Sequence, residues 1–153
     1  MALMIGQKQG ALMGANSRNK GSGFEREVAG QLLGLTGITF KRDLEQVRAA
    51  DHGDLIPSDD AWPFVVECKR YATGSGCKPA WQAQAAKAAA AVGKFPAVIF
   101  RYDRRDVEVS IPMGAITLGL GGMVVNGDSN EWVTVTLQGF AYLAAEIMAG
   151  AAA

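Results

Sequence analysis

A chain of 153 residues, 49% apolar and 20% charged, can bury one sizeable core and is too short for two ordinary domains. Zero formal net charge excludes a global basic surface that coats nucleic acid, but not a local basic patch beside an acidic site. No apolar run approaches the roughly 18 to 20 residues of a membrane span, and the N-terminal apolar stretch, broken at Gln7, Lys8 and Gln9, is too short for a signal-peptide core.

Residues 1–19 lack periodicity and read as a mobile arm that orders on binding or dimerisation; residues 20–153 read as one domain. In the first organised stretch Ser22 is placed to cap a helix, with Glu25 three residues on completing a capping box. Phe24, Val28, Leu32 and Leu33 recur at helical spacing, and Gly34 or Gly37 supplies the stop. Glu25 thus reads first as a cap residue, although Lys20 and Arg26 beside it make the helix start a place for a phosphate. A short strand is expected at 38–40. Residues 41–52 form a polar connection in which Lys41, Arg42 and Arg48 are available to phosphates and His52 reads as incidental.

The densest pattern follows. Gly53-Asp54-Leu55-Ile56-Pro57 and Pro63-Phe64-Val65-Val66-Glu67-Cys68-Lys69-Arg70 are two apolar runs bounded by Gly, Pro and Asp, the signature of adjacent strands. Strand period two puts Glu67 and Lys69 on one face and Cys68 on the other. Pairing of the strands brings Asp54 beside Glu67. Asp54, Glu67 and the main-chain carbonyl of Cys68 then form an all-oxygen site of the kind that suits Mg²⁺, with Mn²⁺ as a substitute. Lys69 stands where it can orient a water. A Glu-x-Lys triplet alone is common, and alternating charges on a strand are often a solvated face. The apolar run before Glu67 marks a buried strand, where charge is costly unless it has a use.

Beyond Lys69 a Gly-containing loop over 72–77 reads as flexible. Pro79 opens a second helix that runs to Val92-Gly93, with Gln82 near its start either reaching the metal site or a phosphate, or simply exposed. Residues 95–101 read as a buried strand, Asp103-Arg104-Arg105 as a turn, and 107–111 as a partly exposed partner strand. From 113 the signal weakens, with a hairpin around Asn126-Gly127-Asp128 and a closing helix over 140–149. Cys68 and Cys77 match no zinc spacing, and Cys68 reads as a core-facing strand residue; a reducing cytoplasm fits the pair. There is no internal repeat and no Gly-rich nucleotide loop.

The order helix, strand, Asp strand, Glu-x-Lys strand, helix, strand resembles the PD-(D/E)XK nuclease superfamily. More narrowly, Lys20-Gly21-x-x-Phe24-Glu25-Arg26-Glu27, the Gly-Asp strand and the Glu-x-Lys strand resemble archaeal and phage Holliday-junction resolvases over roughly residues 18–111. The resemblance implies an α/β fold with a restriction-endonuclease-like core, a central mixed sheet flanked by helices, and a C-terminal part (113–150) outside that core. It implies a Mg²⁺-dependent endonuclease that cuts four-way DNA junctions by symmetric nicks, leaving 5′-phosphate and 3′-hydroxyl ends. Such an enzyme works as a homodimer, in the host cytoplasm if phage-encoded. Glu25, Asp54, Glu67 and Lys69 become the catalytic set, with Glu25 joining the metal site. Lys20, Arg26, Arg42, Arg48, Arg70, Lys78 and Gln82 become DNA contacts. Two departures stand out: archaeal resolvases carry a serine before the Asp strand where this chain has Ala49 and Ala50, and the net charge is neutral rather than basic. The alternatives are another nuclease of the superfamily acting on ordinary or branched duplex, and a non-catalytic DNA-binding protein with the same fold.

Overall fold

The computed structural model describes residues 20–44, 53–120 and 131–152. Helix α1 covers residues 20–36. Phe24, Val28 and Leu32 recur every fourth residue and are buried, so one stripe of the helix faces the sheet. Ser22 lies within the helix rather than at its cap, which corrects the capping-box reading. The stop is Gly37, at φ +73°, whose N–H donates to the Leu33 carbonyl at 2.8 Å. Glycine adopts this left-handed geometry without a Cβ penalty.

The described strands form one six-stranded sheet in chain order. They are β1 (Phe40–Arg42), β2 (Leu55–Pro57), β3 (Phe64–Tyr71), β4 (Phe95–Tyr102), β5 (Glu108–Pro112) and β6 (Trp132–Thr136). All neighbours run antiparallel except β3 and β4, which are parallel from Phe64↔Phe95 to Tyr71↔Tyr102. The sheet is therefore mixed, as expected. Parallel neighbours need a crossover, and α2 (Pro79–Val92) supplies it, with proline in its first turn and Gly93 in the left-handed region at its end. The loop before α2 is held rather than loose: the Tyr102 hydroxyl donates to the Gly76 carbonyl at 2.8 Å.

The sheet is covered on both faces. On one, α1 and α4 (Leu137–Ala152) pack Phe24, Val28, Leu32, Phe140 and Ala144 against Phe64, Val66, Ile99, Val109 and Ile111. Trp62 lies at the centre of an aromatic group, 4.9 Å from Phe40 and 5.7 Å from Phe140 between ring centroids. On the other face α2 lays Trp81 and Ala85 on Val98 and Phe100, and Ala88 and Ala89 on Val65. Small alanine side chains bring this helix close to the strand that carries Glu67 and Lys69.

Several boundaries differ from the sequence reading. The strand expected at 38–40 is displaced to Phe40–Arg42, and the strand β5 is more buried than anticipated. Met113–Gly119 forms a short helix, α3, that the scattered glycines concealed. Gly119 is where α3 meets α4: a Cβ there would lie 2.2 Å from Leu143 Cδ1. β6 pairs with β5, while residues 121–130 of the expected hairpin, the N-terminal arm, Arg48 and His52 lie outside the described residues.

Candidate active site

Gly53 sets the geometry. Its φ is +69°, and a Cβ at that position would stand 2.5 Å from the Val66 carbonyl oxygen and 2.9 Å from Val65 Cγ1. Only glycine combines that backbone angle with so close an approach. The chain therefore enters β2 pressed against β3, with the Asp54 N–H donating to the Val66 carbonyl at 2.8 Å and Leu55 opposite Val66. The Asp54 carboxylate turns back on the same strand, where Oδ2 accepts the Cys68 N–H at 2.6 Å.

Asp54 and Glu67 are both buried, at 7% and 2% exposure. Two carboxylates in so dry a place repel each other and lose hydration. Burial first, and then the neighbouring Asp54 charge, push the Glu67 carboxyl up to about 8, against the pull of Lys69. The Glu25 carboxyl is also raised, by burial first and then by the charge of Asp54, against the hydrogen bond from Arg42. Its Oε2 accepts from Arg42 Nε at 2.6 Å, and its charge reaches Glu67 as well. Asp54, Glu67 and Glu25 therefore lie within one another's electrostatic range. Among the described residues no group of three or more His, Cys, Asp or Glu side chains is disposed to hold a metal ion.

Lys69 lies on the α2 side of β3, with Glu67. Its ammonium donates to Gln84 Oε1 at 2.9 Å, and Gln84 Nε2 donates in turn to Glu67 Oε2 at 3.4 Å. Gln84 is a residue that sequence reasoning missed. The expected helix residue, Gln82, instead reaches across to Ser110 Oγ on β5 at 3.2 Å. The register of α2 accounts for this once Trp81 is seen to face the sheet: Gln84 lies three residues after Trp81 and flanks the stripe of Ala85 and Ala88.

The expected DNA contacts are mostly engaged within the protein. Lys20 donates to Asp103 at 2.9 Å, and Arg70 pairs with the same carboxylate. These bonds, that of Lys20 foremost, lower the Asp103 carboxyl below its usual range. Arg42 is held by Glu25, and the ammonium of Lys78 sits over Tyr71 and Trp81. Arg26 is exposed. Beside them Arg101, not singled out from the sequence, grips Glu27 with two bonds of 2.6 and 2.7 Å, which lower the Glu27 carboxyl. Both cysteines are free thiols. Cys68 packs on the α1–α4 core, and burial raises its thiol well above 9.0, so it is inert as a nucleophile.

No helix among the described residues is long and apolar enough to cross a membrane. No curated protein and no solved structure matches the chain. A family model described as "Phage putative PDDEXK endonuclease" matches residues 16–141, a span that includes α1, both acidic strands, the crossover helix and the start of α4. Because that span covers most of the chain, the chain belongs to this phage family of the PD-(D/E)XK endonucleases.

Proposed function

We propose that the protein is a divalent-metal-dependent DNA endonuclease of the Holliday-junction resolvase type. The observation that carries the reading is the burial of Asp54 against Glu67, with Glu67 holding a proton up to about pH 8. A pair of carboxylates arranged at such electrostatic cost fits a site that a cation completes. The donors are hard oxygens: Asp54, Glu67 and the Cys68 main-chain carbonyl suit Mg²⁺ or Mn²⁺, and Glu25 adds a third carboxylate through water or a second ion. When bound, the metal stabilises charge on the scissile phosphate and lowers the pKa of water.

The chain's own groups do the rest. Lys69, fixed by Gln84, positions the attacking water in line with the leaving 3′-oxygen, so the products carry 5′-phosphate and 3′-hydroxyl ends. Lys20, Arg26, Arg42, Arg48, Arg70, Lys78 and Gln82 are the DNA contacts. Those now paired with Asp103 and Glu25 exchange carboxylate for phosphate when DNA arrives. Symmetric nicking of two strands needs two such sites at fixed separation, which a homodimer provides.

The test is cleavage of a labelled four-way junction beside linear duplex of the same sequence. Paired nicks in the junction alone, dependent on Mg²⁺ or Mn²⁺, establish the resolvase. Equal cutting of both substrates retains the nuclease and removes junction specificity. Folded protein that binds DNA and cuts neither overturns the proposal.

A further inference from the structure

Beyond Lys69, the strand carries an aromatic group that the hydrolytic chemistry does not use. Glu67, Lys69 and Tyr71 alternate along β3 and share one face. All three meet α2, Glu67 and Lys69 through Gln84 and Tyr71 through Trp81. Strand rise places Tyr71 roughly 6–7 Å past Lys69 and about 13 Å past Glu67, a reach that a nucleotide or two of unstacked strand covers.

The Tyr71 ring lies nearly parallel to that of Trp81, with centroids 5.1 Å apart and planes 21° apart. The Lys78 ammonium stands 4.9 Å from one centroid and 5.2 Å from the other. Trp81 is itself anchored in the cluster with Phe100 and Tyr102. The loop between Tyr71 and Lys78 is pinned too: Gly74, at φ +143°, passes so close to Tyr102 that a Cβ would lie 2.4 Å from its ring. Tyr71 is nonetheless 43% exposed, a large ring presented to solvent on a rigid support.

We infer that Tyr71, backed by Trp81 and flanked by Lys78, is a stacking platform for an unpaired base of the DNA next to the cleavage site. This rests on the nuclease reading above. A held, half-exposed aromatic ring with an ammonium over it matches both parts of a nucleotide, the base and its phosphate. Such a platform is indifferent to sequence, because every base has a π-face. It is selective for structure, because a base inside continuous duplex must first leave its stack at a cost that a branch point or gap has already met. Preference for interrupted DNA then arises at Tyr71, separately from the carboxylates.

The experiment uses the full chain without divalent metal and a gapped duplex carrying 2-aminopurine at the unpaired position. Wild type and Tyr71→Phe quench the probe by stacking. Tyr71→Ala loses the quenching and binds the gapped DNA roughly 5- to 100-fold more weakly, while its binding to intact duplex changes by less than about twofold. Tyr71→Ala protein, folded by circular dichroism, that quenches and binds like wild type overturns the inference; so does wild type that fails to quench. Cleavage is read separately with Mg²⁺, so quenching without cleavage removes the nuclease reading and leaves the platform standing.

Discussion

Replacing Glu67 with Gln should make the metal-free protein more stable at alkaline pH while destroying the site. The native carboxyl titrates at about 8 against an ordinary value of 4.5. Between those values the folded protein keeps a proton that the unfolded chain has released, so native stability falls as pH rises through that window. At roughly 1.4 kcal/mol per pH unit, the ceiling is about 5 kcal/mol. Because Asp54 shares the buried charge, a working figure is about 2 kcal/mol, or some 4–8 °C in Tm for a chain of this size. Glutamine keeps the volume and cannot ionise. Thermal unfolding in chelator at pH 5 to 9 should therefore show the difference between Glu67→Gln and wild type moving in the variant's favour up to about pH 8 and then levelling. A difference that stays flat across this range, or moves the other way, would refute the claim that the two carboxylates are pressed together at electrostatic cost.

Because a proton competes with metal at Glu67, the Mg²⁺ concentration for half-maximal cleavage should fall by up to about tenfold per pH unit below 8 and flatten above it; a pH-independent requirement would exclude Glu67 as a ligand. Gly53→Ala forces a Cβ against the Val66 carbonyl and should cost about 2–4 kcal/mol in urea unfolding, with loss of cleavage; a neutral effect would mean that the close approach of β2 to β3 is relaxed in solution. Gln84→Ala frees Lys69 and should lower kcat by roughly tenfold or more at unchanged DNA affinity, with Gln84→Glu failing to restore it; wild-type kcat would remove Gln84 from the positioning of Lys69.

The acidic strands were legible because their information is local. Asp54, Glu67 and Lys69 sit in short runs whose period two fixes the faces, and the Gly and Pro residues around them mark where each strand begins. Pro79 and Gly93 bounded α2 equally well. What could not be read depends on pairing across the chain. Lys20 with Asp103, Arg101 with Glu27 and Gln84 with Glu67 each join elements whose relative placement exists only after folding. Gln84 was hidden for a further reason: in an alanine-rich helix the apolar stripe has little contrast, so Gln82 and Gln84 look alike until Trp81 is seen to face the sheet. Glu25 shows the limit from the other side. Its position in α1 is right for a cap by pattern, yet the helix begins before Ser22, and its carboxylate is turned to Arg42 in the charge field of Asp54.

On the proposed reading Asp54 and Glu67 together hold the metal that supports DNA cleavage. That role is tested most directly by nicking of a labelled four-way junction with Mg²⁺, comparing wild type with folded Asp54→Asn and Glu67→Gln. Wild type should give metal-dependent nicks, and each variant should lose at least about a thousandfold in rate while retaining junction binding in chelator. Cleavage by either variant at a rate near wild type would contradict that role.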